Sequence, residues 1–87
     1  MSAFASLMRR ADTLRRVEPD PTRAEWWTGY MRGLRRAYYG ERFGSEAEHD
    51  LRLAASTSDD PMRAALGRGY RAGLTLESRD PDCGVAE

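Results

Sequence analysis

The sequence predicts an all-α protein, a compact bundle of four short helices with a disordered acidic tail at its C-terminus. Apolar residues recur at helical spacing in four windows, about 3–17, 23–39, 45–55 and 61–74. Residue pairs typical of helix starts precede three of these windows. The second window also holds both tryptophans and three of the four tyrosines. We therefore expect residues 1–76 to form a single helical domain and residues 77–87 to form the flexible tail.

The first helix is predicted from one apolar stripe. Its members follow the i, i+3, i+4, i+7 spacing of a single helix face: Phe4, Leu7, Met8, Ala11 and Leu14. Arg9, Arg10 and Arg16 fall outside that stripe. The segment Glu18-Pro-Asp-Pro21 should end the helix, because proline lacks the amide donor and restricts the residue before it.

The second helix is predicted to begin at a Thr-x-x-Glu capping box formed by Thr22 and Glu25. Its apolar residues cover an arc of roughly 140°, which is wider than one neighbouring helix can bury. We therefore expect this helix to be central and to pack against at least two others. The arc contains Trp26, Trp27, Tyr30, Met31, Leu34, Ala37 and Tyr38. Gly40 is a natural stop.

The third and fourth helices also have start signals. Ser45 and Glu48 form a second capping box, and Asp60 followed by Pro61 suits the first turn of the fourth helix. The third helix is expected to turn small apolar residues inward: Ala47, Leu51, Ala54 and Ala55. The fourth is expected to direct another set to the core: Met62, Ala65, Leu66, Gly69, Tyr70, Gly73 and Leu74.

The second and fourth helices repeat a pattern at an offset of 40 residues. Arg23-Ala24 precedes Gly29-Tyr30-x-x-Gly33-Leu34, and Arg63-Ala64 precedes Gly69-Tyr70-x-x-Gly73-Leu74. Glycine inside a helix costs roughly 0.5–1 kcal/mol relative to alanine, so close backbone packing should compensate. We predict that the fourth helix lays its glycine groove against bulky aromatic residues of the second. Residues assigned to helix packing are Trp27, Gly29, Tyr30, Gly33, Gly69, Tyr70 and Gly73. A groove reserved for a partner or for a second copy in a homodimer is the alternative.

Composition favours a cytoplasmic protein. A single cysteine, Cys83, excludes an internal disulfide and fits a reducing compartment. The arginines at 9 and 10 interrupt the N-terminal apolar stretch before it could act as a signal peptide, and no apolar run is long enough for a membrane span. All 14 basic residues are arginine. Nine of them stand against five acids in residues 1–44, and five against nine acids in residues 45–87, which indicates two unlike faces.

The sequence offers little for catalysis, and we do not expect an enzyme. A nucleophilic triad needs a histidine beside its nucleophile, whereas His49 is the only histidine and Cys83 lies in the predicted tail. Glu46, His49 and Asp50 share one exposed turn and would hold a divalent ion weakly, so we expect neither metal nor cofactor.

Two surfaces are instead predicted to bind a partner. A basic face would contact nucleic acid or protein through Arg9, Arg10, Arg16, Arg32, Arg35, Arg36 and Tyr39. An acidic face would contact protein through Glu46, His49, Asp50 and an exposed Leu53. A net charge of zero is unusual for a nucleic-acid-binding domain, which favours a protein partner.

The segment Arg68-Gly-Tyr-Arg-Ala-Gly-Leu74 resembles the Gly-Tyr-x-Ala-Gly helix of bacterial ribosome modulation factor, and Trp27-Thr-Gly-Tyr30 resembles its tryptophan-glycine-rich second helix. The resemblance covers about a quarter of the chain, with the two segments in the opposite order, and it implies ribosome association.

The size and the arginine-rich composition are also similar in type to phage and mobile-element proteins, including anti-CRISPR proteins. We therefore expect a non-enzymatic inhibitor or accessory factor that docks on a host protein complex handling nucleic acid. The alternative is a direct RNA- or ribosome-binding factor that uses the arginine face.

Overall fold

The computed structural model describes residues 2–81 and confirms the all-α fold, with four helices and no strand in that range. The helices are α1 (Ala3–Val17), α2 (Pro21–Tyr39), α3 (Glu46–Ala54) and α4 (Pro61–Gly73). Short 3-10 turns, Gly40–Arg42 and Ala55–Thr57, follow α2 and α3. The helix bounds lie within two residues of those predicted. The last part of the predicted tail, residues 82–87, lies outside the described residues, and Cys83 with it.

Helix α2 begins two residues before its predicted start, and the predicted Thr22 cap is wrong. The Asp20 carboxylate accepts a hydrogen bond from the Thr22 amide at 3.1 Å, and Pro21 occupies the first turn. Proline is well suited to that position, because its missing N–H would have no helical partner there and its φ is already helical. The same arrangement opens α4, where Asp60 caps the Met62 amide at 3.1 Å. The capping box of Ser45 and Glu48 at α3 is confirmed.

The chain is built from two helical hairpins of similar design, α1–α2 and α3–α4. Helix α1 packs on α2, and α3 with its 3-10 turn packs on α4. The repetition seen in the glycine motif therefore extends to the order of the helices, although the 40-residue offset holds only for α2 and α4. That offset also relates the Asp-Pro starts of α2 and α4, Asp20-Pro21 and Asp60-Pro61.

The two hairpins join along a parallel contact between α2 and α4. Residues 40 positions apart face each other along its length: Thr22 Oγ1 lies 3.6 Å from Met62 Sδ, and Gly33 lies against Gly73. A Cβ added to Gly29 would come 1.9 Å from the Leu66 carbonyl oxygen. The two helices therefore contact each other in the same way, because each places its glycines against the backbone of the other.

This contact corrects the prediction that the α4 glycines pack against bulky aromatic side chains. A Cβ added to Gly69 would lie 1.9 Å from the Trp26 carbonyl oxygen, and one added to Gly73 would lie 2.1 Å from the Tyr30 carbonyl oxygen. The backbones themselves meet, so the large side chains are displaced to the flanks of the contact. There they form the core with α1, centred on Trp27, Tyr30 and Leu34.

Helix α3 presents the opposite face from the one predicted. Leu51 is 71% exposed, and Ala47 and Ala54 are also exposed, although all three were expected to face inward. Half-buried residues on the other side, including His49 and Leu53, face α4 instead. The predicted inward face holds three alanines and a single leucine and so offers little apolar area to bury, and polar contacts to α2 and α4 orient this nine-residue helix instead.

Candidate partner-binding surface

An exposed aromatic cluster lies where the C-terminal end of α2 meets the start of α1. Tyr38 and Tyr39 are 52% and 47% exposed. The ring of Phe4 stacks on that of Tyr38 with centroids 4.2 Å apart, and it meets Tyr39 edge-to-face at 5.6 Å. Phe4 belongs to the first turn of α1, so no further turn of that helix covers the cluster. Tyr38, predicted to lie in the apolar arc of α2, is a surface residue.

Two arginines continue this cluster along α2. Arg35 precedes Tyr38 and Tyr39 by one helical turn, and Arg32 precedes Arg35 by another. Both are half-buried, and neither forms an ion pair with an acid in residues 2–81. We refer to Phe4, Arg32, Arg35, Tyr38 and Tyr39 as the aromatic–arginine surface.

The predicted basic residues on α1 do not belong to this surface, because two are paired with acids and Arg9 lies about 140° around the helix from Phe4. Arg10 pairs with Asp80 at 2.6 Å, and its guanidinium lies 5.3 Å from the Trp27 ring centroid. Arg16 pairs with Asp12 at 2.8 Å. Arg9 is exposed on α1 and has no ion pair among the described residues. Arg32, Arg35 and Tyr39 are therefore the predicted residues that the structure brings together.

Arg36 is the clearest correction to the predicted basic face. It is the one buried charged residue among those described, with 9% of its surface exposed. Its guanidinium forms an ion pair with Glu46 and donates to the Gly44 carbonyl oxygen at 3.3 Å. Arg36 falls on the α2 flank that faces α3, and it holds the start of α3 in place. One ion pair thus joins the predicted basic face to the predicted acidic face.

The predicted acidic face is largely occupied by internal contacts. His49 Nδ1 lies 2.5 Å from the buried Tyr70 hydroxyl, and Glu46 is engaged by Arg36. Leu53 was predicted to be exposed, but it is half-buried and its carbonyl oxygen accepts a hydrogen bond from Arg71. Asp50 alone of the four is exposed without an ion pair in residues 2–81. Three of the four therefore attach α3 to α2 or α4 rather than form a free patch.

Part of the predicted tail lies against the helices. The Tyr30 hydroxyl donates a 2.5 Å hydrogen bond to the Glu77 carbonyl oxygen. Arg10 donates to the Arg79 carbonyl oxygen at 3.1 Å in addition to its pairing with Asp80. Residues 77–81 therefore have a fixed path beside α1 and α2. The acceptors are backbone carbonyl oxygens, which every residue has, so the sequence could not predict these contacts.

The ionisable groups with shifted pKa values have structural explanations. Burial raises the pKa of Tyr30 and of Tyr70 above the usual value for tyrosine. The Ser45 amide and hydroxyl lower the pKa of Glu48, as a capping box requires. Residues 2–81 contain no group of three or more acidic, histidine or cysteine side chains arranged to hold a metal ion.

The raised tyrosine pKa values predict loss of stability in alkali. Tyrosines of the unfolded chain lose their protons near pH 10.0, whereas Tyr30 and Tyr70 in the folded chain do so at higher pH. Their contribution should be complete below pH 10.0 and should fall as the pH rises through the raised folded values. Urea midpoints measured from about pH 8 to pH 12 test this, and Tyr70→Phe should flatten the alkaline decline. An unchanged decline in Tyr70→Phe would contradict the assignment of that residue.

No family model, curated protein or solved structure matches this chain. Function is therefore inferred from the geometry of the surface. None of the helices within residues 2–81 has both the length and the apolar character that a bilayer crossing requires.

Proposed function

We propose that this chain is a non-enzymatic binding protein that docks on another protein through the aromatic–arginine surface. We further propose that the partner is a complex that handles nucleic acid, and that the chain acts on it as an inhibitor or accessory factor of the phage or mobile-element type. The main support for this proposal is a difference between the two hairpins: residues needed for the fold occur in both, whereas those of the aromatic–arginine surface occur in only one.

Residues needed at the α2–α4 contact recur at an offset of 40 positions. Gly29, Tyr30 and Gly33 correspond to Gly69, Tyr70 and Gly73. The aromatic–arginine surface has no such counterpart. Arg32 corresponds to Ala72, and Arg35, Tyr38 and Tyr39 lie on turns of α2 that extend past the point where α4 ends at Gly73. A hairpin of this design therefore does not require them, which supports a role other than folding.

The chemistry of this surface suits binding to a macromolecule. Tyrosine and arginine are enriched among the residues that dominate binding energy in protein interfaces. Tyr38 and Tyr39 offer apolar area that is already held in place by Phe4, so little side-chain freedom is lost on binding. Arg32 and Arg35 need not break an internal ion pair with a described acid before they contact a partner.

Direct nucleic-acid binding is the second candidate, and the same residues favour it. Arginines beside exposed aromatic rings can contact phosphates while bases stack on the rings. Because phosphate contacts release counterions, such binding would weaken steeply with salt. Nuclease treatment of captured complexes distinguishes the two candidates, because it removes contacts made through nucleic acid and leaves contacts between proteins.

The test compares two double variants of the full chain as bait in lysate of the source cell. Arg32→Glu with Arg35→Glu reverses the charge of the aromatic–arginine surface. Arg63→Glu with Arg68→Glu is the matched control, because both arginines are exposed on α4 and unpaired in residues 2–81. We expect the wild type and the control to retain one defined protein complex after nuclease treatment, and the Arg32/Arg35 variant to lose it at least about tenfold.

Three outcomes would decide against the protein-docking proposal. Equal recovery by all three baits would place the contact elsewhere. Recovery that disappears with nuclease would favour direct nucleic-acid binding. Recovery of no complex by the wild type would remove the proposal altogether. Circular dichroism spectra and melting temperatures of the variants confirm that the bait is folded in each case.

A further inference from the structure

We infer that the aromatic–arginine surface binds a short acidic peptide segment that carries an aromatic side chain. The inference rests on the proposed function and names the chemistry of the contact. It follows from the length of the positive stretch, from the acids that bound it and from the geometry of its aromatic rings.

The positive stretch is short. Arg32 and Arg35 are three residues apart on one side of α2, which places them about 5 Å apart along the helix axis. Seven residues, about 10 Å, separate Arg32 from Tyr39. Two guanidinium groups and one aromatic cluster therefore occupy about two helical turns, enough for a few residues of an extended peptide.

Acidic residues close both ends of this stretch. Glu25 lies two turns before Arg32 on the same side of α2, and Glu41 follows Tyr39 in the 3-10 turn. Neither is paired with an arginine within residues 2–81. A long polyanion lying along α2 would meet the Glu25 carboxylate and be repelled, whereas beyond Tyr39 the exposed Arg42 stands beside Glu41. A segment with two carboxylates and uncharged flanks fits the space between Glu25 and Glu41.

The groups inside the stretch match carboxylates and an aromatic ring. Guanidinium is planar and forms paired hydrogen bonds with a carboxylate, which an ammonium group does not. Tyr39 meets Tyr38 edge-to-face at 5.0 Å, so the two exposed rings lie at a steep angle and form a corner. A third aromatic ring can stack on one ring of this corner while meeting the edge of the other.

The experiment uses NMR titration of the full chain with four defined probes. The acidic peptide is Gly-Ser-Asp-Trp-Asp-Ser-Gly, and its neutral counterpart replaces each aspartate by asparagine. The third probe replaces each acid by arginine, and the fourth is a uridine oligonucleotide of about ten nucleotides. The wild type should bind the acidic peptide at least about tenfold tighter than the neutral one. The shifted amides should cluster at residues 32–42 and at the start of α1.

Variants make the inference specific. Arg32→Glu with Arg35→Glu should lose the acidic peptide at least about tenfold and gain affinity for the arginine peptide. Tyr39→Ala should weaken binding several-fold without changing the preference for acid over amide. Arg63→Glu with Arg68→Glu should behave like the wild type.

Several results would overturn the inference: equal binding of the acidic and neutral peptides, tighter binding of the uridine oligonucleotide, or equal loss in the Arg63/Arg68 control. Its failure can be told apart from failure of the proposed function. If a protein complex is captured through Arg32 and Arg35 but the acidic peptide is not preferred, only the inference fails. If the acidic peptide is preferred but no complex is captured, only the proposed docking role fails.

Discussion

Replacing Gly69 by alanine is expected to destabilise the chain by about 3 kcal/mol or more, although alanine is the better helix former. The added Cβ would lie 1.9 Å from the Trp26 carbonyl oxygen and 2.9 Å from the Tyr30 amide nitrogen. Both atoms belong to the α2 backbone, so no side chain can rotate away to make room. The free energy of unfolding from urea titration measures the loss. For 87 residues the total is expected to be only about 4–13 kcal/mol, so partial unfolding in buffer is also consistent.

Arg68→Ala is the matched control for Gly69→Ala, because it places alanine at the neighbouring position on the exposed side of α4. Its effect should lie within about 0.5 kcal/mol. A Gly69→Ala chain that is as stable as the wild type would show that α2 and α4 do not approach as closely as described. A chain stabilised by about 1 kcal/mol, the gain in helix propensity alone, would contradict the contact entirely.

Replacing Arg36 by glutamate is expected to release α3 from the rest of the chain. The substitution places a buried carboxylate beside Glu46 and the Gly44 carbonyl oxygen, where only acceptors would remain. Breaking a fully buried ion pair costs about 3–5 kcal/mol, but Glu46 is largely exposed, so about 2–3 kcal/mol is expected here. Hydrogen exchange of the α3 amides should accelerate more than that of the α2 and α4 amides.

Arg35→Glu is the control for Arg36→Glu, since it makes the same change at the adjacent residue, which has no ion pair in residues 2–81. It should leave exchange in α3 near the wild-type rate. Adding Glu46→Arg to Arg36→Glu should recover part of the lost stability, because the pair is restored with its charges exchanged. Accelerated exchange across the whole chain in Arg36→Glu, with no recovery in the double variant, would rule out a local role in holding α3.

The order and the bounds of the four helices could be predicted because their signals are local. Apolar spacing and capping residues act within one or two helical turns, so both can be identified from neighbouring residues in the sequence. The face of α3 could not be predicted in this way. Its apolar residues are few and small, and its orientation depends on Arg36 and Tyr70, which lie in other helices. The prediction of a cap at Thr22 is wrong because Pro21 does not break a helix here but is the first residue of α2.

The candidate site could be predicted only in part, for a similar reason. Arg32, Arg35 and Tyr39 lie opposite the apolar arc of α2, and helical periodicity alone identifies them. Tyr38 belongs to the same arc as the core residues. Its exposure depends on where α1 begins beside it, which is a tertiary property. Helical periodicity places Arg36 on the basic face, but its contacts with the start of α3 bury it.

The structure also narrows the interpretation of the repeated glycine motif. The sequence left two possibilities, packing within one chain or a groove kept for a partner or a second copy. In the structure all four glycines of the motif face the backbone of the opposite helix of the same chain. No side chain larger than hydrogen could lie between them, which explains why glycine occupies helix-interior positions despite its cost.

The nuclear Overhauser effect between the α-protons of Gly33 and Gly73 tests the α2–α4 contact most directly. A Cβ on Gly33 would lie 2.9 Å from the Gly73 Cα, so a strong cross-peak is expected between these residues. In a mixture of labelled and unlabelled chains, the cross-peak should arise within the labelled chain alone. Absence of the cross-peak, or its appearance only between chains, would contradict the parallel α2–α4 contact that positions the aromatic–arginine surface.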